Sequence, residues 1–152
     1  MRPTNLLSGS TRSCASVRAD SGRLGLAVRV FLVEDLKAMQ ELVRDQLESV
    51  GGFELLAVSA SETAATDWLQ RHRGEWDLAI FDLLLQEGSG FTLLSRCRGE
   101  PGAVVVFSDF VTPVIRDRCL RMGADAVLDK GDFLGLRDYL KAFRGRRQAA
   151  AA

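Results

Sequence analysis

A chain of 152 residues with 47% hydrophobic and 26% charged side chains has the size and composition of one soluble globular domain. Its 20 basic residues balance its 20 acidic ones, so it carries no electrostatic footprint for nucleic acid or an anionic membrane surface, and its apolar runs are too short to span a bilayer. The three cysteines, Cys14, Cys97 and Cys119, are odd in number and lack C-x-x-C spacing, which argues against a zinc or dithiol site and reads as buried or idle thiols of a reducing cytoplasm.

Residues 1–26 hold Ser, Arg and Gly with a single acid, Asp20. They share the bias of an organellar transit peptide but have no apolar centre like that of a secretory signal, and they are expected to form a disordered tail. From Ala27 onward, short apolar runs rich in β-branched residues alternate with longer segments of helical spacing, the pattern of a parallel sheet covered on both faces. The first strand is expected over Ala27 to Val33, followed by a helix whose Leu36, Met39, Val43, Leu47 and Val50 recur every three or four residues and which stops at Gly51 and Gly52. A second strand near Phe53 to Ala60 leads to Ser61 as helix cap, with Ala64, Ala65, Trp68 and Leu69 on one face.

Leu78 to Phe81 forms the clearest strand, apolar throughout and ending at Asp82. A loop over Glu87 to Gly90 precedes a short helix to about Arg98, and Ala103 to Phe107 makes a fourth buried strand ending at Ser108. Thr112 and Pro113 suit the cap and first position of a helix that would bury Ile115, Cys119 and Leu120. Ala126 to Leu128 is a brief fifth strand ending at Asp129 and Lys130, and a last helix buries Phe133, Leu136, Leu140 and Phe143 before closing on Arg144, Arg146 and Arg147. The domain is thus expected over residues 27–144, with 145–152 as a flexible tail and no output domain.

In an open parallel sheet, ligands collect at the carboxyl ends of the strands. Here those ends read Glu34 and Asp35 after the first strand, Asp82 after the third, Ser108 after the fourth and Lys130 after the fifth. Singly, each has a bland explanation: a strand-end acid caps a helix, a serine bonds a loop amide, a lysine stands in solvent. Jointly they form a site. Three carboxylates at one rim repel unless a cation sits among them, and magnesium accepts such oxygen ligands while keeping several waters. Beside it, an ionised Asp82 can take a phosphoryl group as an acyl phosphate, with Lys130 and Ser108 holding the phosphoryl oxygens.

The stretches from Val30 to Asp35, Asp77 to Leu85, Val104 to Ser108 and Gly123 to Lys130 resemble the response-regulator receiver family of two-component signalling. The resemblance implies an α/β, flavodoxin-like, doubly wound sheet of five parallel strands in the order 2-1-3-4-5 with five helices. It implies that Asp82 is the phosphoacceptor, that Asp35 and Asp82 bind magnesium directly, that Glu34 acts through a water, and that the Leu84 carbonyl completes the protein ligands. Ser108 falls at the family's switch hydroxyl and Lys130 at its lysine. A sensor histidine kinase or histidine phosphotransfer protein would supply the phosphoryl group. The charged state would then bias a surface around Phe110 to Met122 and the last helix toward a downstream effector.

Three positions depart from the family pattern. Val127 stands where an aromatic residue usually swings inward, Gly131 where proline often follows the lysine in a cis peptide, and Asp109 where a small residue commonly follows the switch hydroxyl. A trans bond at Gly131 and weakened aromatic coupling are expected. Competing readings are a phosphorelay shuttle or sink, a degenerate receiver that binds without phosphate, a dehalogenase-like aspartyl phosphatase, which needs an acid where Leu84 stands, and a nucleotide or flavin module, for which the first loop has no glycine cradle.

Overall fold

Every residue of Leu78–Phe81 is buried, so this segment can only lie inside a sheet covered on both faces. The computed structural model describes residues 27–151 and places that strand, β3, at the centre. In chain order the elements are β1 (Val28–Val33), α1 (Lys37–Val50), β2 (Phe53–Ser59), α2 (Glu62–Arg71), β3 (Leu78–Phe81), α3 (Gly90–Arg96), β4 (Ala103–Ser108), α4 (Pro113–Arg121), β5 (Ala126–Asp129) and α5 (Phe133–Ala151). The strands are parallel in the order β2-β1-β3-β4-β5, the expected doubly wound topology. The tail expected over residues 1–26, which includes Cys14, lies outside the described residues.

Alternation along β1 sorts the core into two layers. Phe31 and Val33 pack with Leu69, Leu93 and Cys119 on the side of α2, α3 and α4. Val30 and Leu32 pack with Val43, Leu47, Leu136 and Leu140 beneath α1 and α5. Caps set the helix starts: Ser61 Oγ accepts from the Ala64 amide at 3.1 Å, Thr112 Oγ1 from Ile115 at 3.2 Å, and Pro113 occupies the first turn. α1 stops at Gly51 as expected.

One burial assignment and two boundaries differ from the sequence expectations. Leu120 is 44% exposed, whereas Cys119 is fully buried. Adjacent helical residues point about 100° apart, so a single-faced helix buries one of the pair. α3 ends at Arg96, a short slip at a fraying terminus. The expected tail from residue 145 is helical as far as Ala151, because alanine has the highest helix propensity and Arg147 anchors this turn on Asp77. The described cysteines, Cys97 and Cys119, are free and buried; burial, with the Glu100 charge, pushes the Cys97 thiol up to about 12, which leaves it inert.

Asp77 ties this foot of the sheet together. Its carboxylate accepts from Arg29 Nε at 3.0 Å and Nη2 at 3.1 Å and faces Arg147 Nη2 at 3.0 Å. Burial pushes its pKa up, but the bonds from Arg29 and the two guanidinium charges outweigh burial and hold it below the usual aspartate value. Asp77→Asn should therefore cost about 1.5 kcal/mol at neutral pH. A depressed folded-state pKa stabilises above the unfolded value and loses that contribution as pH falls through the folded one. Denaturation midpoints of parent and variant should converge below about pH 3.9; a gap that persists in acid would mean that packing, not charge, is responsible.

Candidate functional site

All strands run the same way, so their carboxyl ends share one rim, and the residues expected there from sequence meet. Asp82 follows β3 and is 4% exposed. Its Oδ2 lies 2.7 Å from Lys130 Nζ, and its Oδ1 accepts from Ser108 Oγ at 2.8 Å and from the Leu84 amide at 3.1 Å. Ser108, fully buried, is joined to the next loop because its hydroxyl also accepts from the Leu83 amide at 3.3 Å. Lys130 bridges two acids, with Nζ also 2.6 Å from Glu34 Oε1.

Glu34 is 2% exposed, and burial pushes its carboxyl above the usual glutamate value, against the bonds from Lys130 and the Leu36 amide. For Lys130, burial opposes the charge, but the bonds to Asp82 and Glu34 outweigh it and keep the pKa above the ordinary lysine range. Asp35 sits half-buried at the mouth, and its Oδ2 accepts from the Gln86 amide at 2.7 Å. One carboxylate oxygen from each of Glu34, Asp35 and Asp82 lies within 4.8 Å of the others.

Three carboxylates against the ammonium of Lys130 leave a net negative pocket built wholly of hard oxygen donors. That donor set fits a small divalent cation of the magnesium type and not a soft transition metal, which would need His or Cys. Leu84 carries no acid; its side chain is 63% exposed and its backbone pairs with Ser89 in an isolated antiparallel bridge.

The departures are equally plain. No cis peptide bond occurs among the described residues, so Lys130–Gly131 is trans as expected. Val127 is buried in the core, and its carbonyl accepts from Arg116 Nη1 at 2.6 Å, a link from α4 to β5 that sequence gave no sign of. Asp109 is exposed, and Phe110 is 80% exposed at φ 54°, a left-handed conformation costly for an aromatic residue.

Residues 30–140 match the family model described as response regulator receiver domain. The chain is 27% identical over 126 residues to a protein-glutamate methylesterase/protein-glutamine glutaminase 2 of Anaeromyxobacter dehalogenans; the alignment covers 82% of this chain, which spans 36% of that protein's length. Among solved structures, the response regulator domain of Thermotoga maritima CheB superposes with a TM-score of 0.69 at 18% identity, covering 80% of this chain and 97% of that one. The CheY-like response regulator receiver domain protein of Methanospirillum hungatei JF-1 does so at 0.65 and 22%, covering 82% and 98%. At these identities the superpositions establish the fold. No helix among the described residues is long and apolar enough to cross a membrane.

Proposed function

The chain belongs to the response regulator receiver domain family, and from that premise we propose that it accepts a phosphoryl group on Asp82 in a magnesium-dependent reaction and thereby switches the binding of a partner protein. The observation that carries this reading is the set of contacts at Asp82: one oxygen on Lys130, the other on Ser108, with Glu34 and Asp35 alongside.

A carboxylate oxygen of Asp82 attacks the phosphorus of a phosphorylated histidine on a kinase or phosphotransfer protein. The new P–O bond forms as the P–N bond breaks, and the imidazole departs with the electron pair. Lys130 and Ser108 already stand within hydrogen-bond reach of the two Asp82 oxygens, from where they turn to the incoming phosphoryl oxygens. Asp35 and Asp82 would hold magnesium directly, Glu34 through a water, and Leu84 through its carbonyl; the ion supplies charge neutralisation at the phosphoryl group. Moving Ser108 toward the phosphate pulls on the start of the β4–α4 connection, where Asp109 and Phe110 are exposed, and through it on α4, whose first turn exposes Val114. The effector surface then spans Phe110 to Met122, that is this connection and α4, together with the last helix. Kinase and effector act where the chain itself works, in the cytoplasm.

Incubation with acetyl phosphate, followed by intact mass, tests the chemistry. A phosphate-sized gain that requires magnesium and vanishes in Asp82→Asn is expected. A parent protein that gains nothing under any condition would refute phosphorylation and leave an interaction module that works without it.

A further inference from the structure

The loop that leaves Asp82 is fastened to the first turn of α2, and each fastening involves Glu62. Its backbone amide donates to the Glu87 carbonyl at 2.9 Å, and its Oε1 accepts from the Ser89 amide at 2.9 Å. Gly88, at φ 95°, lies so close that a Cβ there would overlap Glu62 Cβ. The helix does not need this carboxylate as its cap, since Ser61 already accepts from Ala64. The Glu62 side chain is spent on the loop instead.

The same loop walls the phosphoacceptor. Leu84 donates its amide to Asp82 Oδ1 at 3.1 Å and pairs with Ser89, the residue whose amide Glu62 holds. Gln86 donates to Asp35 Oδ2 at 2.7 Å. A carboxylate on α2, twenty residues before Asp82 in sequence, is thereby one backbone pair away from the bond that orients it.

We propose that Glu62 is a positioning residue for Asp82: its side-chain oxygen holds the Ser89 amide and, through the Leu84–Ser89 bridge, sets where the Leu84 backbone stands beside the phosphoacceptor. Its effect on phosphoryl transfer rests on the reading of Asp82 above; its hold on the loop does not.

The test compares Glu62→Gln, which keeps an acceptor oxygen, with Glu62→Ala, which removes it. In the metal-free protein, Glu62→Ala should speed hydrogen exchange at the Ser89 and Leu84 amides by about tenfold, the equivalent of one lost charge-assisted hydrogen bond. Glu62→Gln should restore most of the protection. With acetyl phosphate, the magnesium concentration for half-maximal phosphorylation should rise several-fold in Glu62→Ala, while its melting temperature falls by only the few degrees that one lost hydrogen bond costs. Unchanged exchange in Glu62→Ala, or a Glu62→Gln variant as fast as Glu62→Ala, would overturn the proposal. If Glu62→Ala does not fold, Gly88→Ala puts a methyl in overlap with Glu62 Cβ and Oε1 and so disturbs the same hold on the loop, and normal protection of Leu84 there overturns it equally. A parent protein that takes no phosphate counts against the Asp82 reading instead, and the exchange comparison still decides the hold on the loop.

Discussion

Lys130→Met should slow phosphoryl uptake at Asp82 by about a hundredfold or more, the scale seen when one preorganised donor is removed from developing negative charge. Methionine preserves the unbranched stem and deletes only the ammonium. That ammonium lies 2.6 Å from Glu34 Oε1 and 2.7 Å from Asp82 Oδ2, and all three residues are 5% exposed or less. Its loss leaves two buried carboxylates facing each other, which in a chelator should cost about 3 kcal/mol in urea denaturation. Magnesium should recover part of that loss by binding only the folded form.

The pH dependence has a definite sign. Burial already raises Glu34, and Lys130 opposes the rise. Without Lys130 the folded pKa climbs further above the unfolded value of about 4.3, so the variant loses stability relative to the parent as pH rises through that window. A variant that takes phosphate at the parental rate would show that Lys130 is a structural counter-ion with no part in the transfer.

Gly90→Ala should be the most damaging single-methyl change near the site. A Cβ at this buried position would overlap the Asp82 carbonyl oxygen and stand 2.9 Å from Leu83 Cα, both of them backbone that cannot rotate away. The Gly90 amide also donates to the Leu83 carbonyl at 3.0 Å, so loop and helix start are pinned where the methyl would intrude. Overpacking of this kind costs about 1–3 kcal/mol. The larger effect should be on phosphorylation, because the atoms pushed are those that carry the Asp82 side chain, and misplacement by about 1 Å can cost a hundredfold. The measurement is phosphoryl gain in protein shown to be folded by circular dichroism; an unchanged rate would mean that the β3–α3 connection yields without moving Asp82.

Much of this was legible in the sequence because burial writes its own period. Leu78–Phe81 is apolar throughout since both faces of β3 are covered, and Ser61 and Thr112 precede helices because the first turn needs acceptors. The candidate site was legible too, since a parallel sheet brings the strands' carboxyl ends to one rim, where Ser108 closes β4 and Glu34, Asp35, Asp82 and Lys130 directly follow β1, β3 and β5. Leu120 misled because an apolar residue beside the buried stripe fits the helical pattern loosely. Trp76, almost wholly buried, belonged to no periodic run and so gave no signal.

What the sequence determined by itself were the quantities set by near neighbours: strand and helix identity, the turn points, and which chemical groups stand at each strand end. The tertiary structure decided how those groups pair. That Lys130 joins Glu34 to Asp82, that Arg147 returns to Asp77, that Arg116 holds the Val127 carbonyl and that Glu62 grips the loop after Asp82 are contacts between separate elements. Such contacts depend on how each crossover packs its helix and on a few ångströms of side-chain reach, and neither leaves a periodic trace in the chain.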